Sequence, residues 1–530
     1  MRAVLLLGCI PRLHGNTHNG PRSYARRAAT RSNTRSFAGG ITLKFPETPS
    51  FTGFFAPSGV EATVHDLTVI DGEVPADLDG AFYRVAPDPQ FPPLSGDDIW
   101  FNGDGMVTQF RFSKGNVSLQ QRWVRTDKFV AEREAGGALF GAYRNPLTDH
   151  PSVAGEVRGT ANTNVLVHAG RLYALKEDSP PVVMDPHTLE TIDSKFDFGG
   201  KMTSQTFTAH PKIDPRTGEM LAFGYAAKGL CTRDMVFYTI SPDGEITDEV
   251  WFEIPYYCMM HDFGITEDYV VFHVVPIVGS WERLEAGLPH FGFDRGRPVH
   301  LGVLPRGGRA EDIRWFSAPT CFASHVMNAH NEGGLVHFDV PMAKGNMFPF
   351  FPDTEGRPFE PHEAAAQMTR WTVDMRANSD EITMTPLADF IGEFPRIDDR
   401  FAGLKNRYGW QLVQDMTKPV DLPGGRSASG MMMNTLGLID LETGETQSYW
   451  VGATSSFQEP AFIPRPGSTA EGDGYLIVIE NRLAEMGSRL LLFDALQIAS
   501  GPIATIALPF RIRQGLHGNW ADAAALRAAA

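Results

Sequence analysis

From about residue 50 onward, the hydrophobic positions recur in short runs separated by turn-forming sequences. Several runs alternate apolar with polar residues and are rich in β-branched and aromatic side chains, as strands are. Turn signals include SPDGE (241–245) and DLETGE (440–445). The segments predicted as strands are AFYRV (81–85), VTQFRF (107–112), NVSLQQRWV (116–124), NVLVHAGRLYALKE (164–177), MVFYTI (235–240), YVVFHVV (269–275), GLVHFDV (334–340), GLIDLETGETQSYWV (437–451), YLIVIE (475–480) and RLLLFDAL (489–496).

The order of these segments favours an all-β propeller. Strands do not alternate with helices, and the clearest helical run is PHEAAAQMTRW (361–371). A strand–turn–strand pattern occurs in both VVMDPHTLETID (182–193) and LGLIDLETGETQSYW (436–450). This weak internal repeat is consistent with blades. No Ser/Gly-rich or charged linker divides residues 50–520, so many short strands in one long chain predict a single propeller domain.

Composition narrows the class of protein. The formal net charge of −16 and the pI near 5.5 argue against a nucleic-acid-binding surface. The four cysteines, at positions 9, 231, 258 and 321, form no CxxC pair, which favours a reducing compartment over a disulfide scaffold. No apolar run reaches the length of about 18 residues that a membrane-spanning helix needs.

The N-terminal segment has a composition of its own. Between Met1 and Pro46 there are seven arginines and no acidic residue, a pattern that resembles a mitochondrial or plastid transit peptide. The alternatives are a disordered tail or a start site assigned too early in a bacterial gene. We therefore treat residues 1–41 as a disordered or targeting extension and residues 42–530 as the propeller domain. The protein is expected in the cytoplasm if the extension is not used, and otherwise in a mitochondrion or plastid.

Several common catalytic motifs are missing from the sequence. HExxH, a P-loop and GxGxxG after a strand do not occur. GGRSASG (424–430) lacks the second glycine that a nucleophile elbow needs, and it is predicted to be a flexible loop.

The candidate chemistry lies in histidines that are far apart along the chain. His210, His261, His325 and His517 occur in the short apolar contexts TFTAHPKID, CMMHDFGI, FASHVMNA and QGLHGNW. Only a fold with radial symmetry would bring them together, and four neutral imidazoles would suit iron, zinc, copper or nickel. Spacing alone ranks them only slightly above the other candidates, His168, His187, His273, His330 and His337.

Longer motifs surround these histidines and occur in a fixed order. Together they resemble the carotenoid-cleavage oxygenase superfamily, and most closely its lignostilbene dioxygenase branch, from about Phe45 to the end of the chain. The segments that carry the resemblance are FNGDGMV (101–107), RWVRTDKF (122–129), ALFGAYRNPLTD (138–149), TANTNV (160–165), TSQTFTAHPKIDP (203–215), MMHDFGITEDYVVF (259–272), SHVMNAHNE (324–332), EFPRID (393–398), QEPAFIPRPG (458–467) and LHGNW (516–520).

The resemblance implies a seven-bladed β-propeller, with a few helices and loops capping the active-site face. It implies one non-haem Fe²⁺ per chain. The four ligands that it implies are His210, His261, His325 and His517. The carboxylates implied to orient three of these rings are Glu177, Glu393 and Glu459. Thr163 matches a threonine whose methyl group crowds one open coordination position.

The resemblance also implies how a substrate would bind. In the lignostilbene branch a 4-hydroxystilbene is held through its phenol, at positions that match Tyr143 and Lys176, with Phe101 as an aromatic wall. A tyrosine hydroxyl and a lysine ammonium would favour the phenolate, which pushes electron density into the central alkene. His330, close after His325, departs from the aromatic residue that the family often has there, and it is the residue most easily mistaken for a ligand.

The predicted function is an Fe²⁺- and O₂-dependent dioxygenase. It would cleave the central double bond of a 4-hydroxystilbene, such as a lignin-derived stilbene or resveratrol, into two aromatic aldehydes. Two alternatives stay open: cleavage of carotenoids or apocarotenoids on the same scaffold, and a propeller that binds ligands without catalysis. A zinc hydrolase is a weaker alternative, because the usual open three-ligand site with a general base is missing. Relatives that dimerise make a homodimer an expectation, whereas nucleic-acid partners are not expected.

Overall fold

A computed structural model of the chain describes residues 34–36, 42–421 and 433–528. The expectations for residues 1–33 and 37–41, and the loop predicted at 424–430, lie outside the described residues. Thr34–Ser36 pairs antiparallel with Thr42–Lys44, so part of the predicted N-terminal extension takes part in a short hairpin with the start of the domain.

The described residues are mainly β-strands. Strands of the first third are β1 (Thr34–Ser36), β2 (Thr42–Lys44), β3 (Ala62–Val64), β4 (Val69–Gly72), β5 (Gly80–Pro87), β6 (Gly105–Ser113), β7 (Asn116–Trp123), β8 (Asn164–His168), β9 (Arg171–Leu175), β10 (Val182–Met184) and β11 (Thr191–Asp193). Those of the middle third are β12 (Lys212–Ile213), β13 (Met220–Tyr225), β14 (Asp234–Ile240), β15 (Ile246–Glu253), β16 (Gly264–Ile265), β17 (Tyr269–Val274), β18 (Ile277–Gly279), β19 (Phe291–Phe293), β20 (Val299–Pro305), β21 (Arg314–Ala318), β22 (Phe322–Ala323), β23 (Asn328–Glu332) and β24 (Leu335–Ala343). Those of the last third are β25 (Gln367–Asp374), β26 (Thr383–Arg396), β27 (Tyr408–Val413), β28 (Thr435–Asp440), β29 (Thr446–Trp450), β30 (Ser455–Phe457), β31 (Ala461–Pro464), β32 (Gly474–Arg482), β33 (Gly487–Asp494), β34 (Ala504–Ala507) and β35 (Gly518–Asp522).

Helices are short and lie between the strands. The α-helices are α1 (Asp127–Ala135), α2 (Trp281–Glu285) and α3 (Ala523–Arg527). The 3₁₀ turns are Pro49–Phe51, Gly53–Phe55, Trp100–Asn102, Pro146–Thr148, Pro151–Val153, Ala310–Asp312, Asp399–Phe401 and Ile498–Ser500.

Most strands of the described residues form seven antiparallel blades, and β1-β2 and β18-β19 are separate two-stranded sheets. Blade 1 has the order β3-β7-β6-β5-β35, blade 2 is β11-β10-β9-β8, blade 3 is β12-β13-β14-β15 and blade 4 is β16-β17-β20-β21. The long strand β26 belongs to two blades, because its first half pairs with β25 and its second half with β27. Blade 5 is therefore β22 and β23 with β24, β25 and β26, and blade 6 is β26-β27-β28-β29. Blade 7 joins β30 and β31 to β32, β33, β34 and β4. The predicted seven-bladed, all-β propeller is confirmed.

Strands from opposite ends of the chain close the ring. The C-terminal strand β35 pairs with β5 in blade 1, with Gly518 opposite Arg84. The N-terminal strand β4 completes blade 7 by pairing with β34, with Gly72 opposite Ala504. Ring closure thus satisfies main-chain hydrogen-bonding groups that an open sheet would expose, and it brings residues near the C-terminus next to residues near the N-terminus.

Some strands have continuous apolar sequences because both of their faces are buried. Every residue of β5 and β13 is buried, and β32 is buried as far as its last residue. Such strands pack against a neighbouring blade on each face, so both sets of side chains are apolar. The outer strand β15 instead mixes buried and exposed positions, because one face is in contact with water.

The prediction of a helix at 361–371 is wrong. Its second half belongs to strand β25, in which Trp371 is fully buried and lies opposite Phe338 of β24. The alanines and Glu363 favour a helix locally, but burial of the apolar positions between two strands outweighs that weak propensity.

Among the described residues, no helix is long and apolar enough to cross a membrane. Cys231, Cys258 and Cys321 are free thiols.

Replacing a buried strand residue should destabilise the ring. Ile477 of β32 is completely buried, between Ala461 and Leu492 of the neighbouring strands. Ile477→Ala should lower the free energy of unfolding by about 2–5 kcal/mol, because it leaves a cavity in the blade. Ile192→Ala, at a strand position that is 66% exposed, is the matched control and should change it by less than about 0.5 kcal/mol. Urea denaturation measures both, and equal losses would contradict the packing argument.

Candidate metal centre

Four histidines meet where the inner strands of four blades begin. His210 comes two residues before β12, His261 three residues before β16, and His517 directly before β35. His325 lies in the connection between β22 and β23. Each of these strands is at the edge of its blade, and the edge strands of radially arranged blades line the central axis. The ring therefore brings together residues that lie more than 300 positions apart.

The imidazole nitrogens converge. The Nε2 atoms of His210 and His261 are 3.1 Å apart, those of His261 and His325 are 3.0 Å apart, and those of His325 and His517 are 3.2 Å apart. All four candidate ligand atoms lie within 4.8 Å of one another. Imidazoles bind a transition metal at about 2.0–2.1 Å, so two ligands at right angles would be about 3 Å apart. The observed spacing is what one shared cation requires.

Three buried carboxylates orient three of the rings. Glu177 Oε1 lies 2.5 Å from Nδ1 of His261, Glu393 Oε2 lies 2.6 Å from Nδ1 of His325, and Glu459 Oε1 lies 2.9 Å from Nδ1 of His517. Each carboxylate accepts a hydrogen bond from Nδ1–H, which keeps the proton on Nδ1 and leaves the Nε2 lone pair free to bind a metal. Each acid therefore fixes both the tautomer and the direction of its ring.

The electrostatics of the centre favour a bound cation. Burial, with the three neighbouring rings adding to it, lowers the pKa of His210 well below its ordinary value, and burial lowers the pKa of His517. Burial would raise the pKa of Glu177, but the hydrogen bond from His261 and the nearby charges of His261 and Lys176 together outweigh it and hold that pKa at about 2. An ionised, buried carboxylate beside rings whose pKa values are lowered places negative charge at the centre, and a divalent cation would compensate it.

A strained turn supports Glu393 and His325. Phe394 has a φ of +56°, which is unusual for an aromatic residue, and its ring stacks on that of His325 at a centroid distance of 5.2 Å. A Cβ atom on Gly392 would lie 1.9 Å from the carbonyl oxygen of Leu412, so only glycine fits before Glu393. This turn was not recognised from the sequence, where EFPRID (393–398) was only one of the segments that carry the resemblance.

Thr163 contributes to the wall of the same site. Its hydroxyl donates to Asn162 Oδ1 at 3.0 Å, and its carbonyl oxygen accepts the backbone N–H of His517 at 3.1 Å. With the hydroxyl engaged in that bond, Thr163 lines the cavity beside the histidines.

One cavity connects the histidines with the predicted substrate residues. Its lining includes His261, His325 and His517 together with Phe101, Tyr143 and Lys176. The Nζ atom of Lys176 donates to the carbonyl oxygen of Phe101 at 3.0 Å and lies 4.9 Å from the centre of the Tyr143 ring. The structure thus brings the three residues into one corner.

Burial changes the acid–base properties of this corner. Lys176 is 3% exposed, and desolvation lowers the pKa of its ammonium group. Burial raises the pKa of Tyr143, so its hydroxyl stays protonated and can donate a hydrogen bond. Phe101 completes the corner, with Phe348 and Phe350 packed edge-on against its ring.

The other candidate histidines lie away from the centre. His330 is on β23 and packs against His337 at a centroid distance of 4.8 Å, and burial lowers its pKa to about 3. His168 and His187 contact backbone carbonyl oxygens of Ser241 and Leu526. His273 is buried in β17, where desolvation lowers its pKa to about 4. Among the described residues, the group of possible metal ligands contains only the four predicted histidines.

Sequence reasoning missed Arg144 next to the cavity corner. Its guanidinium is fully buried, donates to the hydroxyl of Tyr225 at 2.5 Å and lies over the rings of Tyr225 and Phe291. Its position directly after Tyr143 is the only signal that the sequence offers.

The fold and the site together define a β-propeller with an axial, histidine-lined metal site. The family model of the retinal pigment epithelial membrane protein (RPE65) matches residues 55–522. The chain belongs to this family, and the resemblance found in its sequence is confirmed.

Individual relatives are similar over nearly their whole length. Lignostilbene-alpha,beta-dioxygenase isozyme III of Sphingomonas paucimobilis is 54% identical, and the match covers 92% of this chain and 99% of that protein. Isoeugenol monooxygenase of Pseudomonas nitroreducens is 44% identical, with 89% and 98% covered. The crystal structure of lignostilbene dioxygenase from Pseudomonas brassicacearum superimposes with a TM-score of 0.87 at 45% identity, and the match covers 91% of this chain and 100% of that one.

Weakening one carboxylate should weaken metal binding. Glu393→Gln replaces an ionised acceptor of the His325 N–H with a neutral amide, and it should reduce affinity for a divalent cation about 10- to 100-fold. Titration with Fe²⁺ or Co²⁺ under anaerobic conditions measures the effect. Glu332→Gln, a surface substitution that removes an ion pair with Lys405, is the control and should leave affinity unchanged. An unchanged affinity in Glu393→Gln would show that the carboxylate does not tune its ligand.

Proposed function

We propose that this protein is a non-haem Fe²⁺ dioxygenase that cleaves the central double bond of 4-hydroxystilbenes with O₂, giving two aromatic aldehydes. The observation that carries the proposal is the shared cavity: a buried lysine and tyrosine face the same space as three of the four convergent histidines. The similarity to lignostilbene dioxygenases along nearly the whole chain supports the same reaction class.

Iron suits the donor set. His210, His261, His325 and His517 would hold the ion through neutral imidazole nitrogens, a donor type that suits Fe²⁺ and would leave room for further ligands. Fe²⁺ bound there would supply the activation of O₂. Thr163 lines the space beside the rings and would restrict which open position a reactant can reach.

The residues of the cavity corner would bind and activate the phenol. The ammonium of Lys176 and the hydroxyl of Tyr143 can both donate to one phenol oxygen, and an ion pair with lysine favours the phenolate. A phenolate para to the alkene pushes electron density into the double bond that is to be cleaved. The ring of Phe101 and its aromatic neighbours would hold the phenol ring in the plane that this conjugation requires.

The reaction balances without a further reductant. One alkene and one O₂ give two aldehydes, with one oxygen atom in each product. The protein needs only to orient the alkene beside the centre, to exclude water through the apolar lining, and to take the phenol proton on neutral Lys176, whose ammonium then pairs with the phenolate while Tyr143 donates to it.

The alternatives are less well supported by the same cavity. A carotenoid offers no phenol, so the buried Lys176 would keep only the carbonyl oxygen of Phe101 as a hydrogen-bond acceptor and would carry a desolvation cost without a function. A binding scaffold without catalysis would not need four convergent imidazoles with three carboxylates behind them.

The first test compares a phenol with its ether. Iron-loaded protein should cleave resveratrol in air, with loss of stilbene absorbance and formation of two aldehydes, and it should not cleave the 4′-O-methyl ether, which cannot form the phenolate. Cleavage of both at equal rates would overturn phenol activation, and cleavage of neither by protein with iron bound would overturn the stilbene assignment.

The second test separates activation from metal binding. Lys176→Met should retain iron but lose about 100-fold or more in kcat/KM, because it keeps the length of the side chain and removes the ammonium. His261→Ala should lose both iron and activity. Lys228→Met, which removes an exposed lysine paired with Asp234, is the matched control and should keep both. Full activity in Lys176→Met would show that lysine has no part in activation.

A further inference from the structure

A chain of buried polar side chains leads from the body of blade 1 to the cavity. Arg84, Gln458 and Asn481 are 2%, 1% and 0% exposed. Arg84 donates to Oε1 of Gln458, and Nε2 of Gln458 donates to Oδ1 of Asn481 at 2.6 Å. Nδ2 of Asn481 in turn donates to Oε1 of Gln514 at 2.7 Å and to Oγ of Ser456 at 3.2 Å. Asn481, Gln514 and Ser456 all line the cavity.

The direction of this chain is fixed at its buried end. An arginine has only donors, so Gln458 must present its carbonyl oxygen to Arg84, and the backbone N–H of Gly515 donates to the same oxygen at 3.0 Å. Gln458 must then offer its amide nitrogen to the oxygen of Asn481. Asn481 must in turn offer its amide nitrogen to Gln514 and Ser456. The orientation of each amide, which is ambiguous for an isolated side chain, is therefore determined by its predecessor.

The chain ends as a hydrogen-bond donor in the cavity. Oε1 of Gln514 accepts the hydrogen bond from Asn481. The two N–H groups on Nε2 of Gln514 have no partner within the described part of the chain, so they are available to a ligand. Ser456 accepts from Asn481, so its hydroxyl proton is also available to a ligand. The ligand that fits these groups carries an oxygen that accepts a hydrogen bond.

These donors are separate from the phenol-binding corner. Lys176 follows β9 in blade 2, whereas Ser456 and Asn481 lie on β30 and β32 of blade 7, and Gln514 precedes the last strand of blade 1. The lining of the same cavity also includes apolar side chains such as Phe394, Phe457 and Leu483. A stilbene has two rings, and when the first occupies the Lys176 corner the second must occupy another part of the same cavity.

We propose that Gln514 and Ser456 form a second recognition site, which binds a hydroxyl or methoxy oxygen on the distal ring of the stilbene. The proposal rests on the proposed function, since it assumes that the first ring is held at Lys176. Gln514 is a specificity-determining residue here: it contacts the substrate away from the reacting carbons and sets which distal substituents bind well. Arg84, Gln458 and Asn481 are positioning residues that fix the direction of its amide.

The test compares three substrates that share the first ring. They are 4-hydroxystilbene, which has no distal oxygen, 4,4′-dihydroxystilbene, and 4-hydroxy-4′-methoxystilbene. The wild-type protein should show a lower KM for the two substrates with a distal oxygen. Gln514→Met removes the donors at similar side-chain size and leaves Asn481 its second acceptor, Ser456. It should raise KM about three- to tenfold for those two substrates and leave 4-hydroxystilbene unchanged.

A second variant reverses the polarity and keeps the chain intact. In Gln514→Glu one carboxylate oxygen still accepts from Asn481, and the other presents an acceptor to the cavity at pH 8, where the carboxyl is ionised. A hydroxyl can donate to that oxygen, but a methoxy group cannot. This variant should therefore retain 4,4′-dihydroxystilbene and bind the methoxy compound about tenfold more weakly. The surface substitution Gln497→Met is the control and should change no KM.

The outcomes separate this proposal from the function on which it rests. Equal changes in KM for all three substrates would mean that Gln514 acts only through folding, and no change in either variant would mean that no distal site exists. If the wild-type protein cleaves 4-hydroxystilbene, either result overturns the distal site alone. If wild-type protein with iron bound cleaves none of the three substrates, the proposed function is wrong, and the distal site falls with it.

Discussion

The buried carboxylate–imidazole pair is the interaction on which the rest of the structure depends. Glu177 of blade 2 holds His261 at the start of blade 4, and Glu459 of blade 7 holds His517 at the start of the closing strand. Each pair thus links residues from different blades at the axis. A buried carboxylate without a partner would cost several kcal/mol, so the blades must meet in the one arrangement that satisfies all three acids. The same arrangement directs the nitrogen lone pairs of the rings toward one point.

The sequence was sufficient for the architecture because its main signal is periodic and repeated. Hairpins such as 164–177 and 437–451 were visible as pairs of strands around a turn, and no helical rhythm competed with them. The helix expected at 361–371 failed because its apolar positions are buried between two strands, a tertiary effect that local propensity does not contain. The strand β26, which carries Glu393 and takes part in two blades, contains two prolines and gives no clear alternating pattern.

For the site, residue patterns identified candidates but did not select among them. Nothing in the spacing separates His325 from His330, five positions later, yet one faces the axis and the other packs against His337 within blade 5. The choice came from ordered motifs that resemble a family, and the geometry now gives its physical reason. The polar chain from Arg84 to Gln514 could not be recognised in the sequence, because an arginine and three amides that are 374, 23 and 33 residues apart in successive pairs form no local motif.

The two polar groups of the cavity differ in what they can contribute to a reaction. In the proposed function, Lys176 would carry a charge in a desolvated position, so its interaction would strengthen as negative charge develops on the phenol oxygen, and it would lower the barrier. The proposed distal site, Gln514 and Ser456, would offer neutral donors to an oxygen on the other ring, whose charge changes less during cleavage. Their hydrogen bonds would be about equally strong before and during the reaction, so they would contribute to binding rather than to rate. A cavity built in this way would separate reactivity from selectivity: the charged end would determine whether a stilbene reacts, and the neutral end would determine which stilbenes are bound.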